Sequence, residues 1–271
     1  FINALRCCLF KQKKNRKTLY IHVGTDKTGS TAIQRLFSVN SQVLASKGIE
    51  YLVSGREAGQ NHHELFQQSM DNDFSLWGAL AEELKQSSCA KGFVSFEGLY
   101  HLDAARLRKI LECLSDVDVK IVIYLRRQSD MVRSGVAQLI KQGEKALPLS
   151  HYTADNLTGI AQDYLPILER FVNVFGRKNL IVRRYEKSCW PNENIFLDIL
   201  TSLDTLVEPS SLEHDFVMSR SDPNPTLDVE SIHLLDTLDR LGVDKDKRRL
   251  TVRLLLGETG DDRSTFVSNK I

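Results

Sequence analysis

Several things are scarce in this 271-residue chain, and each scarcity excludes something. No apolar run comes near the roughly 18 residues that a membrane-spanning helix needs. The opening stretch FINALRCCLF is too short for a secretory signal and lacks a small-residue cleavage site. The five cysteines, Cys7, Cys8, Cys89, Cys113 and Cys189, are odd in number and match neither a zinc spacing nor a small disulfide framework. Free thiols in a reducing compartment are therefore expected. Charge of one sign is also missing: 36 basic residues against 35 acidic ones leave a formal net charge of +1. That balance gives no whole-chain attraction to nucleic acid or to an anionic membrane surface, so any anion site must be local. No internal repeat or low-complexity tract is present. Together these absences lead us to expect a water-soluble, cytoplasmic protein with no nucleic-acid partner and no membrane span. The chain opens on Phe1 rather than Met, which leaves an upstream segment open.

What is present is an alternation of strand and helix patterns. Apolar residues at 42% and charged ones at 26% are ordinary globular values. The length suits one large α/β domain over residues 18–271, with a helical C-terminal part, behind a basic lead-in over residues 1–17 that ends in KQKKNRK. TLYIHVG (Thr18 to Gly24) predicts a buried strand, and STAIQRLFSVNSQVLASKG predicts one amphipathic helix from Ser30 to Gly48. Further strands are expected at Ile49 to Val53, Lys91 to Gly98, Val119 to Arg127 and Asn179 to Glu186, with helices between them, including a long one from Ala154 to Phe175. Helices are expected again over NENIFLDILTSL, Leu227 to Leu241 and Lys245 to Leu256. This order implies a parallel sheet with helices on both faces, whose ligands sit at the carboxyl ends of the strands, where Gly24, Arg126 and Glu186 fall.

The loop after the first strand, GTDKTGST, nearly spells the phosphate-binding pattern GxxxxGK[ST], but Ser30 stands where its lysine belongs and the loop's own lysine is Lys27. A strand-to-helix turn still directs backbone N–H groups and the positive end of a helix dipole at one point. Lys27 adds a point charge, and the Ser30 and Thr31 hydroxyls can donate hydrogen bonds. The plainer alternative is a tight turn with Ser30 or Thr31 capping the helix. A triphosphate site would need a second strand ending in a metal-binding carboxylate, yet the strongest later strand ends in Arg126 and Arg127. A guanidinium there grips a second anion through its planar fork, and Ser134, eight residues on, can add a hydroxyl.

Two phosphate sites at neighbouring strand ends, one with its lysine inside the loop, resemble the sulfotransferase family. The resemblance is carried by KTGST (Lys27 to Thr31) and by LRRQSDMVRS with Arg126 and Ser134. It extends more loosely through VSFEGL, IVRRYE and NPTLDVESIHLLDTL, all similar to segments of bacterial sulfotransferase-like proteins. It implies a fold of the phosphate-loop type and a co-substrate, 3′-phosphoadenosine 5′-phosphosulfate, with no metal. Thr25, Lys27, Thr28, Gly29, Ser30 and Thr31 would hold the 5′-phosphosulfate, Arg126 and Ser134 the 3′-phosphate, and Tyr185 would lie near the adenine. The acceptor would be a small molecule or glycan. Its general base would come from His62, in an Asn-His pair, with Glu97 second and His63 and Glu50 as further candidates. Lys27 would stabilise the leaving phosphate. Glu186 would brace the site. Asp26, where many relatives have Pro or His, places a negative charge beside an anion site. It keeps a non-catalytic nucleotide- or carbohydrate-binding scaffold among the alternatives, beside a phosphate-loop kinase with a displaced lysine.

Overall fold

A computed structural model describes residues 16–25, 27–56, 60–141, 163–205, 207–218 and 229–255. They fall into two compact units, one made of residues up to Arg127 together with Asp163–Ser221, the other of Gln128–Gln162 and Asp222–Ile271.

The first unit holds five strands among its described residues: β1 (Thr18–Gly24), β2 (Ile49–Tyr51), β3 (Lys91–Glu97), β4 (Asp118–Leu125) and β5 (Leu180–Arg184). Its helices are α1 (Ser30–Val39), α2 (Ser41–Ser46), α3 (His63–Met70), α4 (Ser75–Gln86), α5 (Ala104–Cys113), α7 (Tyr164–Phe175), α8 (Ile195–Ser202) and α9 (Pro209–Asp215), and α6 (Gln128–Lys141), α10 (Val229–Arg240) and α11 (Lys245–Leu255) belong to the second unit. The strands form one all-parallel sheet in the order β2-β3-β1-β4-β5. β1 is central, so its residues are buried on both faces, the usual condition of a strand covered by helices on each side.

Side chains alternate across the sheet and split the core in two. Leu19, Ile21, Val23, Val94, Phe96, Ile121 and Ile123 pack with Leu65 of α3, Trp77 of α4, Leu107 of α5 and Phe171 of α7. Tyr20, Phe93, Val122 and Tyr124 pack on the other face with Ile33 and Phe37 of α1, Leu44 of α2, Phe196 and Leu200 of α8 and Leu212 of α9. The α/β fold with helices on both faces of a parallel sheet is thus the observed one.

One expected helix divides. The stretch from Ser30 to Gly48 breaks at Asn40, whose side-chain amide donates to Leu36 O (2.8 Å) and Val217 O (3.1 Å) while its Oδ1 accepts from Val217 N (2.7 Å). Asparagine competes for backbone hydrogen bonds, and here the winning partner lies 177 residues away. β1 has the expected bounds, whereas β2, β3, β4 and β5 end sooner than the apolar patterns suggest, at Tyr51, Glu97, Leu125 and Arg184, and α9 has no counterpart among the expected helices. Of the expected helix from Ala154, the structure describes Tyr164–Phe175, and residues 154–162 lie outside the described residues.

In the second unit α10 packs against α6 and α11. Asp244 caps α11 by accepting from the N–H groups of Asp246 (3.0 Å) and Lys247 (3.1 Å), and Arg248 pairs with Asp239.

Candidate functional site

The carboxyl ends of β1, β3, β4 and β5 lie side by side and bring Gly24, Glu97, Arg126 and Tyr185 to one edge of the sheet. The loop between β1 and α1 is shaped by its own threonines. Thr25, fully buried, donates its hydroxyl to Tyr124 O (2.8 Å), tying the loop to β4, and Thr28 donates to Thr25 O (2.6 Å). Both hydroxyls are used in building the turn. Lys27 at φ 61° and Gly29 at φ 74° supply the left-handed backbone that swings the chain into α1.

Ser30 behaves differently. The residue before α1 is Gly29, which has no side-chain cap, so neither Ser30 nor Thr31 caps the helix. The Ser30 hydroxyl is buried and has no hydrogen-bond partner among the described residues. It sits against the end of β1: a Cβ on Gly24 would stand 2.3 Å from it and 2.9 Å from the Glu97 side chain. The N–H groups of Ser30 and Thr31 donate to no backbone carbonyl among the described residues, as expected of a helix start. A buried orphan hydroxyl beside open N–H groups at a helix N-terminus suits an oxyanion. Thr31 is exposed.

Arg126, just past β4, donates from Nη1 to Lys27 O (2.7 Å) and lies over the Tyr185 ring, 5.4 Å from its centroid. Tyr164 in turn donates to Arg126 O (3.0 Å). Tyr185 leans on the loop from the other side: a Cβ on Gly29 would stand 2.9 Å from its hydroxyl. Glycine is therefore required twice in this loop, by space at Gly24 and by both space and φ at Gly29. Trp190 supports Tyr185 edge-on at 5.2 Å and donates from its indole to Arg184 O (2.9 Å). Glu186 pairs with two exposed arginines, Arg184 (2.5 Å) and Arg127 (4.0 Å).

The candidate bases separate. Glu97 is the register partner of Gly24 and stands at the mouth of the loop, exposed. His62 is fully buried, with Nε2 donating to Leu52 O (2.8 Å) and Nδ1 accepting from Ser95 N (3.3 Å). Burial lowers its pKa to about 4. It is neutral near pH 7, and both ring nitrogens are already engaged. His63 is half-buried and hydrogen-bonds Gln67 on the outside of α3 (2.9 Å). Glu50 accepts from Ser87 (2.9 Å) and pairs in register with Gly92 near the start of β3, away from the strand ends that carry the loop. Ser134 is half-buried on α6 in the second unit, and Asp26 lies outside the described residues.

Sequence reasoning missed a second buried histidine. His22 lies on β1 with Nδ1 2.7 Å from Ser95 Oγ and with Nε2 unpartnered among the described residues. Burial alone lowers its pKa to about 3. A polar residue inside an otherwise apolar central strand, two positions before Gly24, was the available signal.

No protein-family model matches the chain. An uncharacterized protein of Archaeoglobus fulgidus is 31% identical over 110 residues, which are 41% of this chain and 29% of that protein, so the match spans less than a third of the relative. Among solved structures the chain is similar to a sulfotransferase from Alicyclobacillus acidocaldarius, with 16% identity, TM-score 0.45, and 89% of this chain and 96% of that one covered. It is also similar to the sulfotransferase domain from the curacin biosynthetic pathway, with 12% identity, TM-score 0.37 and coverage of 89% and 98%. Mouse sulfotransferase SULT7A1 complexed with PAP gives 13% identity, TM-score 0.40 and coverage of 91% and 90%. Identities this low, with TM-scores under 0.5, carry no assignment of activity.

Proposed function

We propose that this chain is a sulfotransferase that moves a sulfonate group from 3′-phosphoadenosine 5′-phosphosulfate to a hydroxyl or amine of a carbohydrate-like acceptor. The observation that supports this reading is the contact between the two elements expected to bind anions: the loop with its lysine inside is held at Lys27 O by Arg126, the first residue past the neighbouring strand. Lys27, the Ser30 hydroxyl and the first N–H groups of α1 would take the phosphosulfate, and the rest of the guanidinium of Arg126 would face the second phosphate. Tyr185 would lie along the adenine. Thr25 and Thr28 act by shaping the loop, and Ser134 keeps the part that the sequence resemblance gives it. The acceptor class rests on that resemblance alone.

In the proposed reaction Glu97 takes the proton of the acceptor hydroxyl as the acceptor oxygen bonds to sulfur. The bond from sulfur to the phosphate oxygen breaks, its electron pair stays on that oxygen, and 3′-phosphoadenosine 5′-phosphate leaves. Lys27 and the loop N–H groups stabilise the developing charge, which needs donors already fixed in place. Glu97 is preferred over His62 because it is the register partner of Gly24 at the end of the neighbouring strand, with its Cγ against that glycine, whereas both ring nitrogens of His62 are engaged.

One observation favours a second reading, a kinase of the phosphate-loop type. Glu97 ends the strand next to β1, a place from which a carboxylate can hold magnesium beside a triphosphate. Calorimetric titration separates the two. We expect 3′-phosphoadenosine 5′-phosphate to bind without metal, and Lys27→Ala or Arg126→Ala to weaken it at least about tenfold, the loss of one charge-assisted hydrogen bond. Magnesium-dependent ATP binding with no response to that ligand would overturn the sulfotransferase reading. Binding without transfer of labelled sulfonate to any glycan in a panel would leave the scaffold.

A further inference from the structure

β2 stops at Tyr51, and its last ladder bond to β3 is Leu52 N to Phe93 O at 3.2 Å. β3 runs on for four more residues to Glu97. Ser95 therefore lies beyond the end of its neighbour while fully buried, and its N–H and C=O both need partners that β2 does not supply. His62 supplies both. Its backbone N–H donates to Ser95 O (3.0 Å) and its Nδ1 accepts from Ser95 N (3.3 Å). Its Nε2 then donates to Leu52 O (2.8 Å), the residue at which the chain leaves the sheet. The main chain and the ring of His62 together thus stand in for the missing strand, and the ring alone links Ser95 N to Leu52 O. Three further contacts hold the described part of that segment. Glu83 of α4 accepts from Val53 N (2.7 Å) and Ser54 N (2.8 Å), Tyr51 donates to Gln60 O, and the Arg56 guanidinium lies 5.2 Å from the centroid of the Tyr51 ring. Ser95 continues the line inward through its hydroxyl to His22 on β1.

We propose that His62 is a positioning residue: it closes the edge of β3 at Ser95, two residues before Glu97, and so fixes the strand end that carries Glu97 beside Gly24 of the phosphate loop. The closure is read from the hydrogen bonds themselves. Only the effect on turnover rests on the sulfotransferase reading with Glu97 as base.

Two measurements on the full chain test it. In amide hydrogen exchange, His62→Ala should speed exchange at Ser95, Val53 and Ser54 by about tenfold or more, and His62→Gln, whose amide offers both a donor and an acceptor, should restore most of the protection. Unchanged exchange at Ser95 in His62→Ala overturns the proposal, as does failure of His62→Gln to restore any protection. The second measurement is the hydrolysis of 3′-phosphoadenosine 5′-phosphosulfate, with water as acceptor, which yields sulfate and 3′-phosphoadenosine 5′-phosphate with the water proton passing to Glu97. His62→Ala should slow it about tenfold at unchanged affinity for 3′-phosphoadenosine 5′-phosphate, and should have no further effect in a Glu97→Gln background, since both changes act through one group. An additive loss in that background, or a loss of affinity, overturns the positioning role. A wild-type chain that neither binds nor hydrolyses the donor overturns the sulfotransferase reading instead, and the exchange result then decides the closure alone.

Discussion

The two ends of the central sheet follow opposite rules. At the amino ends polar groups are paired with one another. Tyr20 and Lys120 both donate to the Asp204 carboxylate at 2.8 Å, Lys91 donates to Asp204 O (2.6 Å) and Thr205 Oγ1 (3.0 Å), and Lys17 donates to the carbonyls of Leu84 (2.9 Å) and Lys85 (3.1 Å). At the carboxyl ends, among the described residues, the buried Ser30 hydroxyl has no hydrogen-bond partner and the N–H groups of Ser30 and Thr31 face no backbone acceptor. A closed end holds the fold together. An end with orphan donors is one that a ligand can complete. An open groove of about 990 Å³ also lies at the amino ends, lined among others by Arg16, Thr18, Asp118, Lys120 and Lys178. Two of its cations, Arg16 and Lys120, are already hydrogen-bonded to the protein.

The sharpest way to break this contrast is to remove a closed contact that supports the open end. Asp198 of α8 is fully buried, accepts from Tyr124 (2.7 Å) and Arg183 Nε (3.0 Å), and holds α8 to β4 and β5. Asp198→Ala leaves a guanidinium and a phenol without their partner, and should lower stability in urea denaturation by about 3–5 kcal/mol.

Next in size is the response to pH. Burial depresses the pKa of His62 to about 4, with smaller influences from Arg56 and Glu83, and that of His22 to about 3, both from 6.5. Below pH 6.5 the unfolded chain takes up protons that the native chain refuses, so their stabilisation is intact above pH 6.5. It is lost as pH falls through about 4 and then about 3. The expected fall between pH 6.5 and 4 is on the order of 3 kcal/mol per histidine, and His62→Gln should flatten that part of the curve. An equal slope in the variant would show that His62 is not the buried neutral group described.

A smaller effect is expected from Asp204→Ala at the closed end. Its carboxylate is largely exposed, so the ion pair itself contributes little, and about 1 kcal/mol should be lost, mostly the hydrogen bond from Tyr20. Ser30→Ala should be the smallest in stability, within about 0.5 kcal/mol of wild type in the same urea experiment, because it removes an orphan hydroxyl rather than a contact. The same variant should weaken 3′-phosphoadenosine 5′-phosphate about tenfold in calorimetry. A clear loss of stability with unchanged binding would reverse the assignment of the two ends.

Much of the fold was legible because its signals are local. The β1 pattern ended at Gly24 as read, since a central strand is apolar throughout and a glycine loop ends it. The break at Asn40 was not legible, because nothing near it in sequence announces Val217 as a partner. In the site, Lys27, Ser30 and Arg126 could be read from strand ends and spacing and Tyr185 from the family resemblance, and the structure brings all four to one loop. The roles within the loop could not be read. TGST shows three hydroxyls alike, and only their partners separate Thr28, which builds the turn, from Ser30, which is left over.

His62 and Glu97 show the same division most clearly. The sequence by itself determined that a histidine opens a helix and that a glutamate ends a strand, because helix starts and strand ends are set by neighbours a few residues away. Only the tertiary structure decided which of them faces the loop. β2 is short enough to leave Ser95 uncovered, so the histidine is drawn inward to satisfy a buried peptide group, while the register of β3 on β1 places Glu97 beside Gly24. Hydrogen-bond satisfaction in a buried sheet joins residues distant along the chain, and no local pattern encodes it.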